Sequence, residues 1–370
     1  MSVFNFPTAP DEHFAEFLRK SEQLEGETLA RAIPRECFEP RVWRGLLGFA
    51  VSWVLYLSAL AGIVLSPTWL LWIPLWVVAG LGGWGLHCIA HDCGHGSFSR
   101  SKRLNSAIGH GSLLPLIYPF HAWRHVHYMH HSHTNNLELD TDWRPLPRGL
   151  YKHMSLLQKV IYAGTRTWAF WGGTINYWRV SGFRPSFFPA EQMRKDVRRS
   201  IAFVLVASAL YFLVLVYLTG PTGLLILFVM PWIAIHAWFS ATTLMHHSAN
   251  DVPYLTSEHW TPNAGRLLVT TDYVYPRWLH FLTHNISIHS PHHVAPVVPF
   301  YNLRRAQEAL KEAYPGMQRE RRLRPRHLWQ ILHELHLYDT ESGYYADFEG
   351  NHVRPDDATD SPTRTTAGAT

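Results

Sequence analysis

Two long stretches without a single lysine or arginine, residues 45–99 and 200–265, constrain this chain more than any other feature. Each stretch contains two apolar runs close to the roughly 20 residues that a helix needs to cross a bilayer. A short proline-containing segment separates the two runs of each stretch. The pattern therefore predicts an all-α integral membrane protein with four transmembrane helices in two hairpins. The predicted spans are about 46–65, 68–90, 200–219 and 223–245.

The basic residues lie on one side of these predicted hairpins. All 33 lysines and arginines fall in residues 1–44, in residues 100–199 or after residue 265. Because loops rich in lysine and arginine stay on the cytoplasmic side of a membrane, these three regions and both termini are predicted to be cytoplasmic. The net charge of +5 then faces anionic lipid headgroups, and no nucleic-acid partner is expected.

The same pattern divides the chain into three parts. The tail after about Asn351 is rich in Asp, Thr and Pro and is predicted to be disordered. The loop 100–199 is too long to lack structure, and its aromatic stretch Tyr151–Trp178 predicts a helix lying in the membrane interface. The parts are a cytoplasmic N-terminal segment (1–44), a membrane domain (45–320) and a cytoplasmic C-terminal region (321–370).

Composition supports a membrane protein and also indicates a metal. Charged residues make up 16% of the chain, against about 25% in soluble domains, and 16 tryptophans suit long membrane–water boundaries. The chain has 25 histidines, and metal ligation is the commonest use of such an excess. Its three cysteines form no CxxC pair, which argues against a disulfide framework and a thiolate zinc site.

Eight of the histidines fall into three clusters: one directly after the second predicted span, one in the long loop and one beyond the fourth predicted span. On a helix, residues three or four apart share one face, so the histidines of a cluster can converge on a metal. Ser290 is a favourable N-cap and Pro291 is tolerated at the first helical position, so His289 is predicted just outside a helix. The clusters are His91-Asp92-Cys93-Gly94-His95, His127-Tyr128-Met129-His130-His131 and His289-Ser290-Pro291-His292-His293.

All three clusters lie on the predicted cytoplasmic side, so they can meet at one site. Eight imidazoles are too many for one tetrahedral zinc ion, and imidazole also suits iron and copper. The clusters therefore predict two metal ions. Such a centre at the membrane surface suits dioxygen activation, the usual route to an unactivated C–H bond.

At these residues the sequence resembles the membrane fatty acid desaturase family, and within it the acyl-lipid Δ12/ω-3 branch. The resemblance rests on HDCGH at 91–95, WRHVHYMHHSHTNN at 123–136 and HNISIHSPHH at 284–293, and it covers roughly residues 30–320. It implies four spans with a cytoplasmic helical cap that carries a di-iron centre. It also implies dioxygen as co-substrate and two electrons from an external ferredoxin or cytochrome b5. The substrate would be an acyl chain of a membrane lipid or acyl carrier, which loses two vicinal hydrogens.

The resemblance further implies the metal ligands, position by position. A ninth ligand in such enzymes comes from the end of the fourth span. His247 is the favoured residue there and His246 is the alternative, because adjacent residues on a helix face different directions. The other implied ligands are His91, His95, His127, His130, His131, His289, His292 and His293.

Four further residues are candidates for roles around the metals. Asp92 could accept the second N–H of a ligating imidazole, or it could act as a cap or a salt-bridge partner. His284 and Asn285 could hydrogen-bond to the ligands, and His284 could instead ligate a metal directly. His87, one turn before His91, is interpreted as a hydrogen-bonded or structural residue inside the membrane.

Proteins with other functions can carry the same histidine pattern. A lipid hydroxylase, acetylenase, epoxidase or carotenoid ketolase could use such a site. A histidine-rich membrane metal transporter is the alternative from a different class, but transporters usually place their ligands near the middle of the spans. The clusters here lie at or beyond the span ends, and we expect an oxygen-dependent fatty acyl desaturase.

Overall fold

The computed structural model describes Pro7 and residues 11–353, which are mostly helical. The predicted disorder of the tail concerns residues 354–370, which lie outside the described part of the chain. The described residues form these α-helices: α1 (Glu12–Gln23), α2 (Val42–Leu65), α3 (Trp72–His95), α4 (Lys102–Leu113), α5 (Phe120–Ser132), α6 (Arg148–His153), α7 (Leu156–Arg166), α8 (Trp171–Tyr177), α9 (Glu191–Leu224), α10 (Met230–His247), α11 (Arg277–Leu282), α12 (Ser290–Val294), α13 (Leu303–Ala313) and α14 (Pro325–Glu334).

Short strands add two small sheets to these helices. β2 and β3 pair in parallel, with Thr271 opposite Arg319. β4 lies between β1, to which it is parallel, and β5, to which it is antiparallel. These pairings hold the described part of the C-terminal region against earlier parts of the chain. The strands are β1 (Leu146–Pro147), β2 (Thr271–Val274), β3 (Arg319–Arg322), β4 (Leu337–Tyr338) and β5 (Tyr345–Ala346).

Three helical stretches of the described chain are long and apolar enough to cross a membrane: Val42–Leu65, Trp69–His95 and Glu191–His247. The first stretch contains the predicted span 46–65. The second contains the predicted span 68–90 except for its first residue. The second stretch runs on to His95, because Gly96 adopts the left-handed conformation (φ 76°) that ends α3. His91 and His95 therefore lie on the last turns of this helix.

The third stretch reverses direction within its 57 residues. Gly220 has non-helical backbone angles (φ 70°, ψ −179°), and Pro221 follows it. The rings of Phe212 and Phe228 lie 4.7 Å apart, whereas a continuous helix would separate these residues by about 24 Å. The chain therefore turns back at Gly220, and the arm before it lies beside the arm that continues into α10.

Small residues let α3 pack closely between α2 and α10. A Cβ atom on Gly82 would lie 2.7 Å from the backbone nitrogen of Tyr56 in α2, and one on Gly80 would lie 2.8 Å from the carbonyl carbon of Ala234 in α10. A larger side chain at either position would force the helices apart. This close contact brings the histidine-bearing end of α3 near the end of α10.

The loop between the two hairpins contains several short helices rather than the single interfacial helix predicted over Tyr151–Trp178. The helix breaks after α7, because Thr167 leaves the helical conformation (φ −127°, ψ −119°). α7 keeps the amphipathic character expected of a helix in the interface. Its exposed apolar residues are Leu156, Leu157, Val160 and Ile161.

Candidate metal centre

Four helices bring the predicted histidines together. α10 ends at His247, whose Nε2 atom lies 3.3 Å from that of His130 on α5. His289 is the N-cap residue of α12, so the helix begins at Ser290, one residue before the predicted start at Pro291. Ser290 is not the N-cap, and its hydroxyl donates to Asp272 instead. The positions that converge are His91 and His95 from α3, His127, His130 and His131 from α5, His247 from α10, and His289, His292 and His293 at α12.

The first cluster contains five histidines whose ligand nitrogens all lie within 4.8 Å of one another. His131 is at its centre: its Nε2 atom lies 3.0 Å from Nε2 of His127 and 3.1 Å from Nε2 of His292. The ligand nitrogens come from α3, α5 and α12. The members of the first cluster are His91, His95, His127, His131 and His292.

The second cluster contains His130, His247 and His293, whose ligand nitrogens also lie within 4.8 Å of one another, and His289. The Nε2 atom of His289 lies 3.2 Å from that of His247 and 3.1 Å from that of His293. The Nε2 atoms of His130 and His247 are 3.3 Å apart. Because His130 and His131 are adjacent on α5, this helix supplies both clusters.

These separations fit imidazoles that share metal ions. A ring nitrogen carries either one proton or one lone pair, so His131 Nε2 cannot form hydrogen bonds with both of its neighbours, and neither can His289 Nε2. Two nitrogens that each lie about 2.1 Å from one metal at a right angle are about 3 Å apart. The nitrogen–nitrogen distances of 3.0–3.3 Å therefore match the edges of a coordination shell.

Electrostatics favours the neutral, ligating form of most of these histidines. Burial and the neighbouring imidazoles hold the pKa values of His127, His131 and His292 well below 6.5. The same causes lower the pKa values of His289 and His293. Neutral imidazole is the form that binds a metal, so the apoprotein already holds these rings in the required protonation state.

His130 differs, because a carboxylate holds it. Its Nδ1–H donates to Oδ1 of Asp140 over 2.8 Å, which leaves Nε2 free for the second cluster. Burial opposes protonation of His130, but the charge and hydrogen bond of Asp140 outweigh it and raise the pKa. Asp140 is itself fixed by the backbone N–H groups of Asn135 and Asp142. A carboxylate that orients a ligating imidazole in this way is common at metal sites.

A second buried carboxylate, Asp272 in β2, holds the N-terminus of α12. Its Oδ1 accepts the backbone N–H groups of His289 and Ser290 over 2.5 and 2.7 Å. Its Oδ2 accepts the Ser290 hydroxyl and the side-chain N–H of Gln307 over 2.6 and 2.8 Å. The position of three clustered histidines therefore depends on this one residue. No sequence motif marks Asp140 or Asp272, because their partners are distant or are backbone groups.

The structure does not bring Asp92, His284 or Asn285 to a ligand in the predicted way. Asp92 Oδ1 lies 4.0 Å from His91 Nδ1, beyond hydrogen-bonding distance, and Asp92 Oδ2 accepts the backbone N–H of Phe300. The reason is helical geometry, since adjacent residues on α3 point about 100° apart. Asp140 performs, for His130, the role predicted for Asp92.

His284 and Asn285 face other parts of the protein. Both adopt left-handed backbone conformations (φ 50° and 53°). The Nε2 atom of His284 lies 2.8 Å from the hydroxyl of Ser52 in α2, and the side-chain N–H of Asn285 donates to the carbonyl of Phe300. Neither residue hydrogen-bonds to a clustered histidine, so their predicted roles at the metals are not supported by their positions.

The adjacent histidines at the end of α10 have different surroundings. His247 belongs to the second cluster, whereas His246 donates its Nδ1–H to the carbonyl of Thr271 over 2.7 Å. The ring of His246 stacks on His289 with centroids 4.2 Å apart. The geometry therefore favours His247 over His246 as a ligand.

A cavity adjoins both clusters, and the empty space within it and at its mouth amounts to about 710 Å³. His91 and His127 of the first cluster line it, together with His130, His247 and His289 of the second. The remaining wall exposes mostly apolar surface, from residues that include Trp84, Trp123, Val126, Phe239 and Ile286. It also contains polar residues, among them Asp142, Thr141, Thr174, Thr242 and Thr243.

Comparison with known proteins agrees with this arrangement. A family model described as fatty acid desaturase matches residues 67–325. The sn-1 oleoyl-lipid 12-desaturase of Synechocystis sp. is 33% identical over 338 residues, which cover 91% of this chain and 94% of the relative. The protein of the same name from Arthrospira platensis is 36% identical over 278 residues, or 75% of this chain and 79% of the relative. The chloroplastic omega-6 fatty acid desaturase of Arabidopsis thaliana is 33% identical over 316 residues, or 84% and 69%.

Proposed function

The chain belongs to the fatty acid desaturase family, and from this premise we propose that it introduces a double bond at the 12 position of a lipid-linked oleoyl chain. Family membership makes it an oxidoreductase that acts on lipid. The names of the relatives support the position and the substrate. The observation that carries the proposal is that two histidine clusters share one wall of a largely apolar cavity.

Two iron ions are the proposed occupants of the clusters. His91, His95, His127, His131 and His292 would hold one ion, and His130, His247, His289 and His293 would hold the other. Bound there, the irons supply the activation of dioxygen that makes an unactivated C–H bond reactive. Imidazole nitrogens suit iron, and their neutral state favours binding.

The overall reaction requires an external reductant. Its balance is R–CH2–CH2–R′ + O2 + 2 e⁻ + 2 H⁺ → R–CH=CH–R′ + 2 H2O. The substrate supplies two electrons and dioxygen accepts four, so two more must come from a separate protein. A ferredoxin or a cytochrome b5 is the proposed donor.

The residues of the chain contribute position and exclusion of water. The aromatic and aliphatic wall of the cavity holds the acyl chain beside the clusters and keeps water away from its reacting carbons. Asp140 holds the ring of His130, and Asp272 holds the N-terminus of α12. These contacts fix the ligands before the substrate arrives, so the acyl chain meets a preorganised site.

The proposed membrane arrangement has four spans in two hairpins, with the reversal at Gly220 supporting the second hairpin. The cap that carries the metals, residues 1–44, and the region 321–370 lie on the cytoplasmic side, as the distribution of lysine and arginine favours. Residues 45–320 form the membrane desaturase domain. The exposed apolar face of α7 would rest in the interface.

Lipid analysis of cells that express the chain with a compatible ferredoxin tests the proposal. We expect an 18-carbon product two hydrogens lighter than oleate, with its new double bond at carbon 12. A product that gains oxygen would instead indicate a hydroxylase or ketolase. Metal flux into vesicles without any lipid product would indicate a transporter.

A further inference from the structure

One wall of the cavity is a cage of four rings, formed by Trp84 and His87 of α3, Trp123 of α5 and Phe239 of α10. We call it the aromatic cage. His87 stacks on Trp84 at 4.9 Å with 14° between the planes. The centroid of His87 lies 4.2 Å from that of Phe239 and 4.9 Å from that of Trp123.

The aromatic cage contains N–H groups without partners. The two ring nitrogens of His87 and the Nε1 atom of Trp84 form no hydrogen bond with any residue that the structure describes. Both side chains are only 2% exposed, so bulk water does not satisfy these groups. An unpaired buried donor is costly. The cage therefore favours a ligand that offers electron density to these N–H groups.

The aromatic cage lies next to the candidate ligands. His87 precedes His91 by one turn, or about 6 Å along the helix axis, and Trp123 stacks on His127 at 4.8 Å. In an oleoyl chain that reacts at the 12 position, the double bond already present lies two carbon–carbon bonds from the reacting pair. That bond must therefore lie close to the ligands, where the cage is.

We propose that the aromatic cage binds the double bond that the substrate already carries, with N–H groups of His87 and Trp84 donating to its π electrons. Such contacts are weak but depend on orientation. A saturated chain in the same position leaves both donors unpaired, so the cage selects monounsaturated chains over saturated ones. This inference rests on the proposed function and assigns its substrate preference to particular residues.

Two substitutions at one position separate donation from packing. His87→Phe keeps a ring in the cage and removes the donor, whereas His87→Gln removes the ring and keeps a donor. We expect the preference for oleoyl over stearoyl lipid to fall about two- to fivefold in His87→Phe. In His87→Gln, which keeps a donor, the preference should fall less than in His87→Phe. His125→Phe is the control, because the Nε2 atom of His125 on α5 also has no partner among the described residues and His125 does not line the cavity.

The preference is measured in two ways. The first is competition between oleoyl and stearoyl lipid for turnover, with iron content as a check on the variants. The second is equilibrium binding of the two lipids to the iron-free full-length protein, which does not require activity. An unchanged preference in His87→Phe, or an equal loss in His125→Phe, overturns the inference. If the wild-type protein prefers oleoyl lipid in binding, His87→Phe loses that preference, and the wild type forms no double bond, the proposed function fails and the cage stands.

Discussion

The two histidine clusters use the same kind of ligand but are held in different ways. In the second cluster, Asp140 holds His130, the hydroxyl of Thr134 lies 3.2 Å from Nδ1 of His293, and Asp272 holds the backbone of His289. Within the described part of the chain, both ring nitrogens of His91 and the Nδ1 atom of His131 in the first cluster have no hydrogen-bond partner, and the Nδ1 atoms of His247 and His289 in the second cluster have none either.

The first cluster is also more exposed to solvent than the second. His95 and His127 of the first cluster are partly exposed, whereas His130, His247 and His293 are buried. Hydrogen bonds from the protein thus orient the rings of His130 and His293 in the second cluster, whereas helix packing and the neighbouring histidines position the first cluster. We infer that the second cluster is the more preorganised of the two, since partners of this kind fix ring orientation and raise ligand basicity.

The largest effect is expected where the two clusters meet, at His130. His130→Ala removes a candidate ligand and leaves Asp140 as a buried carboxylate without its imidazole partner. We expect product formation to fall by more than about 100-fold, beyond the roughly 10–100-fold effect typical of residues that support ligands. The measurement is the fatty-acid profile of expressing cells. His125→Ala, on another face of α5 against Phe188, is the control and should retain most activity.

The role of hydrogen bonds in holding the second cluster can be tested with two buried carboxylates, one that holds a candidate ligand and one that does not. Asp140→Asn should weaken iron binding at the second cluster about 10–100-fold, because the group that orients His130 loses its charge. Asp92→Asn should leave iron binding nearly unchanged, since Asp92 holds Phe300 rather than a ligand. Iron affinity of the purified variants is measured by competition with a chelator. Equal losses in the two variants would contradict the proposed difference.

A smaller effect is expected at Asp272, which supports both clusters through α12. Asp272→Ala leaves the backbone N–H groups of His289 and Ser290 unpaired, at about 1–3 kcal/mol each, and should lower activity roughly tenfold. Asp272→Asn keeps one oxygen for these two groups and should recover part of the loss. Iron content and thermal midpoints of both variants check this. Equal activity, iron content and thermal midpoints in Asp272→Asn and Asp272→Ala would show that these hydrogen bonds do not determine the position of α12.

The smallest predicted effect is on the pH dependence of stability. The pKa values of His127, His131 and His292 are held below 6.5 by burial and by neighbouring imidazoles. Below pH 6.5 the unfolded chain therefore binds more protons than the folded one, so the free energy of unfolding falls as the pH decreases. His130, whose pKa is raised by Asp140 despite its burial, acts in the opposite direction. We expect the thermal midpoint of the iron-free protein to be several degrees lower at pH 5.5 than at pH 7.5. A constant midpoint would contradict these assignments.

Features that depend on local sequence were predictable. The apolar runs located α2 and the main part of α3, and the spacing of the histidines located the faces that converge. Ser290 and Pro291 located the start of the helix at His289 to within one residue, since the N-cap is His289 rather than Ser290. Each of these depends on residues within one or two helical turns.

Features that depend on tertiary contacts were not predictable. Asp140 and Asp272 act across turns and between a strand and a helix, and nothing in their local sequence distinguishes them from other acidic residues. Asp92 lies beside a candidate ligand in sequence but points away from it on the helix. His284 was placed near the metals because of its distance along the chain from His289, yet its left-handed backbone turns it toward Ser52. The break at Thr167 within the predicted interfacial helix likewise has no local signal.

The central claim is that histidines from four separate helices hold two iron ions. Iron and protein are quantified together in the purified, iron-loaded protein, and in variants that remove one cluster at a time. We predict two irons per chain in the wild type, about one in His95→Ala and about one in His247→Ala. A wild-type protein that binds no iron, or variants that retain both irons, would contradict the account.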